Sequence, residues 1–116
     1  MKKNNNSKFN HDRIQQTILI ILANALHKEA YNPIFHYATF TDIKLSKDYS
    51  IAKIYVDSFN QKYIDKIINQ LNTATGFFKT CLAKKLIIKK VPNLLFVKDQ
   101  TVEQSTKIED LLNKIN

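Results

Sequence analysis

The sequence predicts an α+β fold of two layers, in which helices cover one three-stranded sheet. Two observations lead to this prediction: apolar residues recur at helical spacing in several stretches, and between the first two of these they alternate as in strands. The predicted order is helix, strand, strand, helix, kink, helix and strand, followed by a final helix. At 116 residues the chain has room for one such domain, because two cores would each have fewer than about 60 residues. We place this domain at residues 11–116 and expect residues 1–10 to form a flexible basic and polar arm.

The first half of the chain predicts a helix and a β-hairpin. Residues 11–29 have one strongly apolar side, and the helix should end near Pro33, because the residue before a proline disfavours helical geometry. Residues 37–45 and 50–59 are predicted strands, and the short turn at 46–49 makes them antiparallel. The residues expected to share one side of a strand are Tyr37, Thr39, Thr41, Ile43 and Leu45 in the first, and Ala52, Ile54 and Val56 in the second.

The second half predicts two helices with a kink between them, then a strand and a last helix. The helices span residues 61–73 and 77–86, and a short strand follows at 94–98. Gly76 is the only glycine of the chain and costs about 1 kcal/mol in a helix relative to alanine, so we predict that the kink requires it. In the final helix, predicted at 101–115, the side chains expected to point inward are Ile108, Leu111, Leu112 and Ile115.

Positive charge is concentrated in one third of the chain. Residues 66–98 carry seven lysines and no acid, whereas residues 12–65 carry six bases and six acids. An acid-free basic stretch is typical of proteins that bind a polyphosphate backbone, because each neutralised phosphate releases condensed counterions. The helix that begins just beyond the kink would also present backbone N–H groups to a phosphate.

Several functions are excluded or disfavoured by composition. The single cysteine, Cys81, lies on an apolar helix side and is interpreted as a core residue rather than a nucleophile. His11, His27 and His36 have no partners at metal-ligand spacing, so neither a metal nor another cofactor is expected. Asp48 is interpreted as a turn residue, and no catalytic constellation is found. No stretch approaches the roughly 20 apolar residues of a membrane span, so no membrane partner is expected. A single cysteine excludes an intrachain disulfide framework, so the cytoplasm is the expected compartment. We further expect a monomer without a small-molecule substrate.

Three stretches of the sequence resemble a known family. The hairpin matches its Ser-x-Asp-x-x-x-Ala-x-Val-Tyr-Val pattern at Ser46, Asp48, Ala52, Tyr55 and Val56. The kink matches an Ala-x-Gly-Phe pattern at Ala74, Gly76 and Phe77, and the end of the domain matches Val-Pro-x-Leu and a closing aspartate at Val91, Pro92, Leu94 and Asp99. In order and spacing these stretches resemble the bacterial ribosome-binding factor A family, whose members have a KH-like fold of type II.

The resemblance implies a function and a set of contact residues. It implies binding to the free small (30S) ribosomal subunit and its 16S rRNA, with help in late maturation and 5′-end processing of that RNA, above all in the cold and without catalysis. The RNA-binding residues that it implies are Ala74, Thr75, Gly76, Lys79, Lys84, Lys85, Lys89 and Lys90.

Three other interpretations of the sequence stay open. A general KH-type module for single-stranded RNA would bind short strands and ignore the ribosome. A small enzyme on a related α+β sandwich would need titratable groups clustered in a pocket. A protein–protein adaptor would use the lysines to bind an acidic partner, and its binding would survive nuclease treatment.

Overall fold

The architecture was taken from a computed structural model that describes residues 2–88 and 90–99, and the side chains of these residues except those of 2–9 and Glu29. The predicted final helix at 101–115 lies outside the described residues. The main elements are α1 (Lys2–Asn24), β1 (Ala38–Leu45), β2 (Ile51–Ser58), α2 (Ile64–Thr73), α3 (Thr75–Lys85) and β3 (Asn93–Lys98).

The described strands form one three-stranded sheet in the order β1-β2-β3, which confirms the predicted fold class. β1 and β2 are antiparallel, whereas β2 and β3 are parallel, with Ile51 beside Asn93 and Val56 beside Lys98. A parallel pair requires a crossover, and α2 and α3 supply it. Ala52, Ile54 and Val56 are fully buried, as the alternation predicts. The helices therefore cover one side of the sheet.

The first helix is longer than the periodicity predicts. It begins at Lys2 rather than at residue 11, and the assignment of residues 1–10 to a flexible arm stays a prediction. After Asn24 the chain continues in one π-helical turn, in which the N–H of Ala30 donates to the carbonyl of Ala25 at 2.9 Å. The helical geometry ends at Ala30 and a 3-10 turn begins at Pro33, so the predicted end of the helix is confirmed.

The predicted side of β1 is wrong because this strand contains a bulge. The register with β2 shifts between Phe40 and Asp42, so Thr41 is an extra residue. An extra residue reverses the alternation, because side chains point to opposite faces at each step. Phe40 is consequently buried on the same side as Ile43, while Thr41 is exposed.

A cluster of phenylalanine rings joins the helices to the sheet. Phe78 on α3 is fully buried, and its ring centroid lies 5.3 Å from that of Phe96 on β3 and 6.2 Å from that of Phe40 on β1. The ring of Phe35 approaches Phe78 from the 3-10 turn before β1, also at 6.2 Å. Aromatic pairs of this kind contribute about 0.5–1.5 kcal/mol each beyond their buried area. The cluster therefore fixes α3, which carries the kink at its beginning, against the strands.

Candidate nucleic-acid interface

The corner between α2 and α3 is a single residue. Ala74 has φ −95° and ψ 17°, which lies outside the helical region, and α3 begins at the next residue. Its N–H donates to the carbonyls of Gln70 and Leu71 at 3.0 Å, and its carbonyl accepts from the N–H of Phe78 at 3.3 Å. The bend therefore keeps both backbone groups of Ala74 hydrogen-bonded, one to α2 and one to α3.

Gly76 does not make this bend, so the prediction that the kink requires glycine is wrong. Gly76 is the second residue of α3 and has a negative φ, and a Cβ built on it would meet no atom within 4 Å. The sequence argument failed because alanine adopts the conformation of the corner without strain. The missing side chain instead leaves the first turn of α3 uncovered. N–H groups in a first helical turn lack intrahelical partners, which favours contact with an anion.

Near the beginning of α3, the side of the helix that faces solvent carries small and weakly polar side chains. Gly76, Thr80, Ala83 and Lys84 are exposed and follow one another at helical spacing. The hydroxyl of Thr80 donates to the carbonyl of Gly76 at 2.9 Å, so this side chain lies against its own helix. A phosphate backbone can approach such a side closely.

Lys79 is oriented by the start of β3. Its side chain is half-buried, and Nζ donates to Oδ1 of Asn93 at 3.0 Å. The N–H of Asn93 in turn donates to the carbonyl of Ser50 at 2.9 Å, where β2 begins. Because an amide is neutral, this partner orients the ammonium group without cancelling its charge. An ammonium group has three donors, so Lys79 retains donors for a phosphate.

Lys84 and Lys85 are exposed in the last turn of α3. Cations in this position interact favourably with the helix dipole, so part of their role is structural. Lys84 lies five residues beyond Lys79, which is about 7.5 Å along the helix axis. Two adjacent phosphates on one nucleic-acid strand are separated by a comparable distance. Five residues also turn the helix by about 140°, so Lys79 and Lys84 lie at the two borders of the outward side of α3, and Lys85 lies about 100° beyond Lys84.

Lys90 lies beside the hairpin turn rather than on α3. It is exposed and lines a cleft of about 430 Å³ together with Asp48, Ser50 and Ile14 of α1. Lys79 and Lys90 therefore both flank the contact between Ser50 and Asn93. Lys89 lies outside the described residues. Of the eight predicted contact residues, four thus occupy the beginning of α3 and its corner, two its end, and one the neighbouring cleft.

The hairpin turn next to this cleft is held by Asp48, as predicted. Its carboxylate accepts from the hydroxyl of Ser50 at 2.6 Å and from the hydroxyl of Ser46 at 2.8 Å. These hydrogen bonds lower the pKa of Asp48 from 3.8 to about 2. Tyr49 completes the turn with a φ of 64°, in the left-handed region. Its ring lies 5.2 Å from that of His11, which connects α1 to the turn.

Two asparagines of this region are missed by sequence reasoning. Asn93 orients Lys79, and Asn72 on α2 binds the backbone of β3: its Nδ2 donates to the carbonyl of Phe96 at 2.9 Å and its Oδ1 accepts from the N–H of Phe96 at 3.0 Å. Asparagine is abundant in this chain, so no single one stands out in the sequence. The two asparagines reach these partners only because the crossover places α2 and α3 beside β3.

Metal and membrane sites were also sought in the described part of the chain. Within residues 2–88 and 90–99 there is no group of three or more His, Cys, Asp or Glu residues that would hold a metal ion. No helix in those ranges is long and apolar enough to cross a membrane. Cys81 is buried, as the prediction of a core residue requires.

The sheet order, the helices on one side and the one-residue corner define a small KH-like α+β domain with a basic side. The family model described as ribosome-binding factor A matches residues 10–112, and the chain belongs to this family. Ribosome-binding factor A of Malacoplasma penetrans is 36% identical over 115 residues, which cover 99% of this chain and 97% of that protein.

Solved structures of the same family share the fold. The crystal structure of ribosome-binding factor A from Thermus thermophilus matches with a TM-score of 0.70 and 21% identity, over 78% of this chain and 96% of that one. A homology model of the Thermus thermophilus protein, fitted into a cryo-EM map of its complex with the 30S subunit, matches with a TM-score of 0.64 and 22% identity, over 75% of this chain and 92% of that one. At these identities the likeness shows the fold alone.

Proposed function

We propose that this protein binds the free small (30S) ribosomal subunit through its 16S rRNA during late assembly. It acts in the cytoplasm as a monomer and assists maturation of the 5′ end of that RNA by binding, not by catalysis. The observation that carries the proposal is the family match over residues 10–112, which include the whole acid-free stretch 66–98. The Thermus thermophilus homology model was fitted into the cryo-EM map of a complex with the 30S subunit, which agrees with this partner.

The mechanism that we propose uses phosphate contacts along α3. The N–H groups of Thr75 and Gly76 in the first turn of α3 would bind one phosphate, and the lysines would bind others as point charges. Ala74 would contribute as the small residue of the corner, since its own N–H is bonded to the carbonyls of Gln70 and Leu71. Such contacts position a protein on RNA but carry little sequence information, so selectivity comes from the shape of the folded RNA. If the protein binds one conformation of the maturing RNA more tightly, it raises the population of that conformation. The lysines assigned to this surface are Lys79, Lys84, Lys85, Lys89 and Lys90.

The first test is co-sedimentation with purified small subunits, large subunits and whole ribosomes at low and moderate salt. Selective pelleting with free small subunits is the expected result. Equal binding to all three particles, lost as salt rises, would refute ribosome specificity and favour a general KH-type protein for single-stranded RNA. Depletion in cells is expected to leave 16S rRNA with an unprocessed 5′ end, most strongly at low temperature. Primer extension on that RNA measures this effect.

A charge-reversal variant tests the assigned surface. Lys84→Glu with Lys85→Glu should weaken binding to small subunits and reduce the slope of log K against log salt by about 1.5, because each phosphate contact contributes about 0.7–0.9. The matched control is Lys28→Glu with Lys47→Glu, which changes the net charge equally at two exposed lysines outside residues 66–98. If the two variants had equal slopes, Lys84 and Lys85 would not belong to the RNA-binding surface, and that surface would lie elsewhere.

A further inference from the structure

Three aromatic residues converge at the end of the hairpin opposite its turn. We call this group the aromatic end and define it as Tyr37, Phe59 and Tyr63. The ring centroids of Tyr37 and Tyr63 are 5.1 Å apart, and the N–H of Phe59 donates to the carbonyl of Tyr37 at 3.1 Å. The side chain of Phe59 is 80% exposed and that of Tyr37 is 44% exposed, whereas Tyr63 is half-buried against the core. The aromatic end therefore presents ring surface to solvent.

The loop that carries Phe59 is fixed by its own hydrogen bonds. The buried hydroxyl of Ser58 donates to the carbonyl of Asn60 at 2.9 Å and accepts from the N–H of Asn60 at 3.2 Å. Oδ1 of Asn60 accepts from the N–H of Lys62 at 3.0 Å and caps the 3-10 turn that precedes α2. Because the backbone on both sides of Phe59 is ordered in this way, the ring is already held in position for a partner.

The polar residues between the rings favour nucleic acid as this partner. The segment 59–63 reads Phe-Asn-Gln-Lys-Tyr, so two amides and one ammonium group stand between two aromatic residues. Nζ of Lys62 lies 5.9 Å from the ring centroid of Tyr63. A ring that can stack on a base then has a cation for the neighbouring phosphate beside it, the combination by which proteins bind unpaired nucleotides. A protein pocket that enclosed these rings would have to desolvate the ammonium group of Lys62, at a cost in free energy.

Two carboxylates flank the aromatic end. Oδ1 of Asp57 accepts from Nε2 of Gln61 at 2.7 Å, so this carboxylate is bound to the loop itself. Asp65 is exposed in the first turn of α2, where it interacts favourably with the helix dipole. Lys62 and Lys66 balance these two negative charges. Stacking on the rings, rather than net charge, would therefore supply the larger part of any binding at this end.

A polar stripe on α2 connects the aromatic end to the corner before α3. Lys66, Asn69 and Thr73 are exposed and follow Lys62 at helical spacing. The hydroxyl of Thr73 donates to the carbonyl of Asn69 at 2.9 Å, so this side chain lies against its own helix. The ten residues of α2 span about 15 Å. One RNA strand of a few nucleotides can therefore reach from the beginning of α3 to the aromatic end.

We propose that the aromatic end binds an unpaired base of the RNA by stacking, with Phe59 as the principal ring and Lys62 on the neighbouring phosphate. The proposal rests on the proposed function and adds to it a contact that does not depend on the lysines of α3. Stacking tolerates every base, because each has a π-face. This contact would therefore recognise that a base is unpaired rather than which base it is. An RNA segment that becomes paired during maturation would lose it.

Phe59→Trp tests the contact by fluorescence. The chain contains no tryptophan, so the introduced indole is the only one and its emission reports on a base stacked against it. A single-stranded oligoadenylate of about 12 nucleotides should quench this emission, whereas an abasic strand with the same number of phosphates should not. Ile20→Trp is the matched control, because Ile20 is 60% exposed on α1. The absence of quenching, quenching by the abasic strand, or equal quenching of the two proteins would overturn the proposal.

Phe59→Ala tests the same contact on the ribosomal subunit. Its affinity for purified small subunits should be about tenfold lower than that of the wild-type protein. The slope of log K against log salt and the free energy of unfolding should stay unchanged, because the substitution removes no charge and the ring is exposed. Phe59→Tyr retains a stacking ring and should bind as the wild-type protein does.

The outcomes separate this proposal from the proposed function. Unchanged affinity of Phe59→Ala would overturn the stacking contact even if the wild-type protein pellets selectively with small subunits. A tenfold loss on subunits without quenching of Phe59→Trp by the oligoadenylate would also overturn it and assign Phe59 to a contact with a protein of the subunit. Failure of the proposed function would appear instead as equal pelleting of the wild-type protein with all ribosomal particles.

Discussion

The hydrogen bonds from Asn72 to β3 can be tested by removing one side chain. β3 is an edge strand, and the N–H and carbonyl of Phe96 point away from β2 toward α2. Asn72 binds both groups, as the backbone of a further strand would. Asn72→Ala leaves them without a protein partner and removes the direct polar link between α2 and β3.

The expected loss follows from two hydrogen bonds. Each contributes about 1 kcal/mol net, so the loss is about 2 kcal/mol. Alanine is the better helix former, which offsets about 0.5 kcal/mol at this position on α2. Asn72→Ala should therefore lower the free energy of unfolding by about 1.5 kcal/mol. Asn69→Ala, at an exposed position of the same helix, should raise it by about 0.5 kcal/mol.

Urea unfolding measures the difference between these two variants. Both should keep the slope of the wild-type protein, because neither changes the surface exposed on unfolding. Amide exchange at Phe96 should also increase in Asn72→Ala and not in Asn69→Ala. If the two variants had the same free energy of unfolding, the two hydrogen bonds would contribute nothing and our account of the edge would be wrong.

Three further predictions concern the corner, the hairpin turn and the core. Gly76→Ala should stabilise the protein by up to about 1 kcal/mol in urea unfolding, since alanine is the better helix former and its Cβ meets open space; destabilisation would restore the view that the kink requires glycine. The lowered pKa of Asp48 stabilises the folded state above pH 3.8, and this contribution is lost as pH falls through about 2. Asp48→Asn should therefore flatten the decline of stability between pH 4 and 2, and parallel unfolding curves for both proteins would refute this. Cys81, which is 5% exposed, should react with a thiol reagent only as fast as the protein unfolds, and a rapid stoichiometric reaction of the native protein would show that it is accessible.

Most elements of the fold can be predicted from the sequence because their periodicity is local. Ile54 and Val56 alternate with polar residues, and Ile64, Ile67 and Leu71 recur at helical spacing, so burial follows the pattern. The bulge at Thr41 has no such signal, because one extra residue in a strand leaves the composition unchanged. The parallel direction of β3 also depends on the crossover, which no local pattern records.

The candidate site is predictable in its charge but not in its geometry. The absence of acids between residues 66 and 98 is a property of the sequence, and the family resemblance selects Lys79, Lys84 and Lys90 within that stretch. The partner of Lys79 is 14 positions further along the chain, at Asn93, and becomes visible only after β3 has joined the sheet. Gly76 shows the opposite error, because its rarity indicated a constraint on the backbone that its surroundings do not impose.

The parallel pairing of β3 has a consequence for the order of folding during synthesis. Ala38 pairs with Ser58, 20 positions away, but Ile51 pairs with Asn93, 42 positions away. The hairpin can therefore form early, whereas the third strand joins only after the whole crossover has been made, and such distant pairing is slow. Until residue 98 has left the ribosomal tunnel, one edge of β2 presents unpaired backbone groups. Prematurely terminated chains would retain this edge and are expected to associate with one another through it.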